Sequence, residues 1–192
     1  MPPRARPLSP EERREQLVVT TLRLLREHGR SVTTKQIAEA AGVAEGTIFR
    51  VVETKEELVE AAIDRAFEPG DVVARIEEID PDLDVRDRLV QLVSILQQRY
   101  RATFDLMQRM GLVGPPRHDS PQAHAWREQQ AALMVGVVGD DARRFDVAAD
   151  ELCHRLRLLA FAGAHPRISD GHLVGPEQVV DTVLHGLMRR VD

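Results

Sequence analysis

The sequence predicts an all-α chain, and three observations predict it. Leu, Val, Ala, Arg and Glu dominate its 192 residues, while aromatics make up only 4%. That mixture suits helix packing, since strand-rich chains lean on β-branched and aromatic residues. Apolar side chains recur at i, i+3, i+4 and i+7 in almost every segment between turn signals, the stripe of an amphipathic helix. Several of those segments open on Ser, Thr or Pro and close at Gly or Pro, the usual punctuation of helix ends. With 43% apolar residues the chain can bury a real core.

Each element follows from local chemistry. Residues 1–8 are rich in Pro and Arg and predict a mobile arm. Ser9-Pro10-Glu11-Glu12 reads as an N-cap, a proline at the first helical position and a capping box. Leu17, Val18, Thr21, Leu24 and Leu25 then line one face, and Gly29 ends the helix. A short helix from Thr33 or Thr34 turns Ile37, Ala38 and Ala41 inward and stops at Gly42. A third begins after Val43-Ala44 and carries Ile48, Phe49 and Val52; Thr54 caps a fourth, over 54–67, broken by Pro69-Gly70. Further helices are predicted over about 71–79, 85–110, 121–138, 141–164 and 176–190, with loops at 111–120 and 163–175. The domain reading is an arm at 1–8, a three-helix helix-turn-helix domain at 9–55, and a larger helical bundle at 56–192.

The stretch from Thr33 to Lys55 is the most informative. Gly42 supplies the positive φ that a tight interhelical turn requires. Ala38 and Ala41 are small enough for two helices to cross closely, Val43 fills the space beneath the turn, and Ile48 and Val52 anchor the next helix. The positions left outward are Glu45, Gly46, Thr47, Arg50 and Val51. Such a helix is the kind that enters a DNA major groove.

The pattern Thr33-Thr34-x-x-Ile37-Ala38-x-x-Ala41-Gly42-Val43-x-x-Gly46-Thr47-Ile48-Phe49-Arg50, followed by Thr54-Lys55-x-x-Leu58, resembles the DNA-binding domain of TetR-family transcriptional regulators. The resemblance covers about residues 9–60. A weaker one runs from Phe161 to Pro166 and from Pro176 to Leu187, similar to the last two helices of many members. It implies a homodimer formed through helices at about 141–164 and 176–190, bound to a palindromic double-stranded operator, with recognition helices about 34–36 Å apart. It also implies a repressor released by a small apolar or amphipathic ligand. Carried over by position, Thr34 would hold a phosphate, Lys35 a phosphate or guanine edge, and Lys55 the backbone. Gly46, Thr47 and Arg50 would face the groove, and Arg4 and Arg6 the minor groove, unless the arm is only a solvated tail. Phe49 and Val51 depart from the family's usual residues, and Glu45 either accepts from a cytosine amino group or weakens binding.

Charge supports this division. Residues 1–55 hold ten Lys and Arg against seven Asp and Glu, whereas 56–192 hold sixteen against twenty-four. A basic head on an acidic body fits a protein that offers only its head to phosphates. Cys153 is the only cysteine, so no intrachain disulfide can form. No secretory signal or membrane-length apolar run is present, and the expectation is a cytoplasmic protein. Neither Cys153-His154 nor His118 and His124 has metal-ligand spacing. No carboxylate pair, nucleophile elbow or phosphate loop is visible, so no catalytic residue, metal or cofactor is expected. Tyr100, Phe104, Met107, Met110 and Trp126 are the candidate ligand-pocket residues, with ordinary core as the competing reading. Two other functions remain open: a similar regulator controlled by a protein partner or without a ligand, and a helical-bundle enzyme.

Overall fold

The computed structural model describes residues 8–114 and 119–187. Arg4, Arg6, Pro115, Pro116, His118 and the expected helix end at 188–190 lie outside them. Among the described residues there is no strand, and the chain is all-α as predicted. Its helices are α1 Pro10–His28, α2 Thr34–Ala41, α3 Glu45–Ile48, α4 Lys55–Phe67, α5 Val72–Glu77, α6 Val85–Met110, α7 Pro121–Val138, α8 Ala149–Ala164 and α9 Pro176–Leu187. They fall into two compact units, one of residues 8–68 and 105–114, the other of 69–104 and 119–187.

The first unit is α1 to α4 with the last turn of α6. Ser9 caps α1 through a reciprocal box, its hydroxyl accepting from the Glu12 amide at 3.1 Å while Glu12 accepts from the Ser9 amide at 2.6 Å. Leu17 and Leu25 of α1, Ile37 of α2, Ile48 of α3 and Leu58 of α4 are fully buried together, and Leu106 and Met110 complete the core. The α1–α4 pair carries exposed ion pairs on its flank, Arg14 to Glu57 at 3.5 Å and Arg65 to Glu15 at 3.3 Å. Arg30 donates from Nε to the Met110 carbonyl at 2.7 Å. Gly29 has φ +61°, and a Cβ there would stand 3.1 Å from the Arg109 carbonyl oxygen, so glycine is needed twice over.

In the second unit Leu89, Leu92, Val93 and Leu96 of α6 pack with Met134 and Val138 of α7, Leu152 and Leu156 of α8, and Val179 and Val180 of α9. Arg88 is buried among them. Its Nη1 donates to the Val137 carbonyl at 2.8 Å, serving one of the orphan acceptors at the end of α7, and its Nη2 pairs with Asp141. Helices α8 and α9 are joined closely at Gly163, where the Val174 amide donates to the Gly163 carbonyl at 3.0 Å.

Two expectations need correction. The helix predicted over 141–164 is two pieces: a 3₁₀ segment at Gly139–Arg144, then α8 from Ala149. Phe145 breaks it by adopting an extended backbone, φ −112° and ψ 147°, which buries its ring to 4% exposure in the core. The third helix was expected to carry Ile48, Phe49 and Val52, but α3 ends at Ile48. Arg50 and Val51 instead donate three residues back, to the Thr47 and Ile48 carbonyls. Gly46 and the β-branched Thr47, Ile48, Val51 and Val52 explain the early end, since all are poor helix formers.

Candidate nucleic-acid interface

The geometry of the turn between α2 and α3 decides what faces outward. Thr33 caps α2 in a second reciprocal box, accepting from the Gln36 amide at 3.2 Å while Gln36 accepts from the Thr33 amide at 2.9 Å. At the other end Gly42 is left-handed, φ 68° and ψ 35°. Its amide donates to Glu39 at 3.2 Å and that of Val43 to Ala38 at 3.0 Å, the paired bonds of a Schellman motif. Val43 then packs, half-buried, on the core. With Ile37, Ala38, Ile48 and Val52 buried, the opposite side of α3 and the turn after it are left to solvent.

Glu45, Gly46, Phe49 and Arg50 are exposed there, and Thr47 and Val51 half-buried. Phe49 is 52% exposed, unusual for an aromatic with a core beside it. Gly46 needs no positive φ, and a Cβ on it would meet no atom within 4 Å. Nothing inside the protein therefore requires glycine at 46, and its effect is to leave room outside the chain. Lys35 is exposed on α2, 4.0 Å from Glu39. Thr34 donates its hydroxyl to Glu45, a contact between the two motif helices. Lys55 is half-buried and tied inward, Nζ donating to the Val32 carbonyl at 3.4 Å with Glu56 at 3.9 Å.

The candidate pocket residues divide between the units. Tyr100 and Phe104 form an aromatic group with Phe161 and His165, the Phe104 and Phe161 rings edge to face at 5.0 Å and the Phe104 and His165 rings 4.4 Å apart. Trp126 packs, half-buried, on the second unit's core. Met107 and Met110 stand with the first unit, and Met110 is 1% exposed in its core. The second unit also holds a cleft of about 470 Å³ lined by Ile76, Ile79, Arg88, Gln129, Leu133 and Val137. Sequence reasoning proposed none of these as pocket residues, because a cleft depends on how three helices meet.

Leu158, Leu159 and Phe161 of α8, a helix expected to take part in a dimer, and Ile168 and Leu173 of the loop after it are all at least 39% exposed. Among the described residues no group of three His, Cys, Asp or Glu gathers to hold a metal, and no helix is long and apolar enough to cross a membrane.

A short capped helix, a left-handed glycine turn and a second helix anchored by Ile48 define a helix-turn-helix domain of the DNA-binding class. Residues 17–62 match the family model described as bacterial regulatory proteins, tetR family. No curated protein matches the sequence. Solved structures share the fold at low identity. A tetR-family transcriptional regulator from Streptomyces coelicolor is 20% identical with a TM-score of 0.59, over 93% of this chain and 80% of that one. NalD, the secondary repressor of the MexAB-OprM multidrug efflux pump in Pseudomonas aeruginosa, is 20% identical with a TM-score of 0.51, over 95% and 100%. A transcriptional regulator from Saccharomonospora viridis solved in complex with choline is 20% identical with a TM-score of 0.61, over 94% and 100%.

Proposed function

We propose that the chain is a homodimeric transcriptional regulator, a repressor, which binds a palindromic operator and is released by a small apolar or amphipathic molecule. The outward face of α3 and its following turn carries the reading. Glu45, Gly46, Phe49 and Arg50 stand exposed around a glycine that leaves space for a close approach from outside. Arg50 is the cation for a phosphate or guanine edge on that face, and Lys35 is a second exposed cation, on α2. Lys55 gives one proton of its ammonium group to the Val32 carbonyl and keeps others for the backbone contact.

The exposed apolar side chains Leu158, Leu159, Phe161, Ile168 and Leu173, all on α8 and the loop after it, support a second copy as partner that would cover them. The cleft beside Arg88 and the aromatic group around Phe104 are the two candidate seats for a ligand within the second unit. Among proteins that share this fold, NalD is the repressor of a multidrug efflux pump and the Saccharomonospora regulator was solved in complex with choline, which supports control by a small molecule. Ligand control requires only a differential affinity between two states, typically about 1–3 kcal/mol.

The test is titration of labelled duplex, recovered by selection from a random pool, with the chain and its Arg50→Ala variant. The variant is expected to lose at least about tenfold in affinity at physiological salt, the cost of a charged contact to phosphate or base. Undiminished binding by Arg50→Ala would remove the turn after α3 from the interface and count against the reading.

A further inference from the structure

The contact between Thr34 and Glu45 changes what each residue is for. Thr34 opens α2, Glu45 opens α3, and the Thr34 hydroxyl donates to Oε1 of Glu45. While it does so, its single proton is not available to a phosphate oxygen. Glu45 meanwhile loses the freedom of a long exposed side chain and is held at the surface between the two helices of the motif. A carboxylate has about four acceptor positions, and Thr34 occupies one. What is left is an outward acceptor fixed in place, with negative charge.

Only some base edges suit such a group. In the major groove guanine shows two acceptors, and thymine shows one acceptor and a methyl; both repel a carboxylate. Adenine offers its N6 amino group next to the N7 acceptor, so half of its edge is unfavourable. Cytosine offers the N4 amino group. We propose that Glu45 is a specificity-determining residue, positioned by Thr34 to select a C·G pair through the cytosine amino group once in each half-site. This rests on the DNA-binding reading above and deepens it.

Binding-site selection from a random duplex pool, run on the full chain and on Glu45→Gln, Thr34→Val and Thr34→Ser, tests it. Circular dichroism confirms that each variant is folded. The wild-type sites are expected to share a cytosine at one symmetric position, with at least about fivefold weaker binding when it is replaced by adenine. Glutamine both donates and accepts, matching adenine N6 and N7, so Glu45→Gln moves the preference there from C to A. Thr34→Val, which cannot donate, broadens the preference at that position alone, and Thr34→Ser restores it. Glu45→Gln selecting the same bases as wild type overturns the proposal. So does tighter binding to all sequences by a common factor, which would mean that the carboxylate only repels phosphates. An unchanged preference in Thr34→Val removes the positioning role. If the wild-type chain recovers no preferred sequence at all, the DNA-binding reading itself fails, an outcome distinct from the others.

Discussion

Single residues in the second unit show how little slack its packing leaves. Gly163 lies inside α8, where alanine would be the better helix former by about 1 kcal/mol. A Cβ at 163, however, would stand 2.9 Å from the Val174 Cβ and 3.5 Å from the Val174 carbonyl oxygen. Overpacking outweighs propensity here, because the obstacle is the root of a β-branched side chain and not a flexible tip. Gly163→Ala is expected to destabilise the unit by about 1–3 kcal/mol, read as a lower urea midpoint at unchanged slope. Cys153, earlier in α8, is 3% exposed, and burial with the neighbouring Asp150 charge pushes its thiol up to about 12. The thiolate form is therefore negligible at neutral pH, and the residue acts as a small apolar side chain.

At the level of elements, local caps determine where most helices begin. Thr54 accepts from the Glu57 amide at 3.1 Å and starts α4, whose Leu58, Ala62 and Ile63 fill the first unit's core. Thr54→Ala is expected to cost about 1 kcal/mol and to speed amide exchange in the first turn of α4 more than elsewhere. Such starts are legible in a sequence because cap and capped amide lie three residues apart, and the bounds of α6 and α7 were legible for related reasons. The break at Phe145 was not. Residues 141–144 have ordinary helical composition, and only the demand of a distant core for an aromatic ring opens the backbone there. The Thr34–Glu45 bond was hidden for the same reason. It spans eleven positions across a turn, and neither residue alone announces the other. The buried scaffold Ile37, Ala38, Ile48 and Val52 was readable from spacing, whereas the chemistry of the surface it supports depends on side-chain partners.

For the whole molecule, the question is how a chain with net charge −5 approaches a polyanion. The excess of acid lies after residue 55, so the basic head and the apolar surface of α8 occupy different parts of the sequence. Dimerisation would double the number of heads offered to one duplex and raise effective concentration without any new contact to DNA. Leu158→Glu combined with Leu173→Glu places charge on that surface at side chains that are 49% and 47% exposed, so folding should survive. The double variant is expected to sediment as a 21.6 kDa protomer and to lose operator affinity steeply, while keeping its circular dichroism. A dimer of undiminished stability would place the interface elsewhere.

The last turn of α6 bears on how such a protein can be rearranged over evolution or by design. Leu106 and Met110 are core residues of the first unit although residues 69–104, which belong to the second, separate them from Glu68. The DNA-binding unit is thus not a contiguous cassette. A graft that ended at residue 68 would leave an apolar hole where those two side chains belong, and would strand the Arg30 guanidinium without its Met110 carbonyl. Exchange of heads between relatives must carry a matching end of α6, which ties the inheritance of the DNA-reading surface to that of a helix beginning in the other unit.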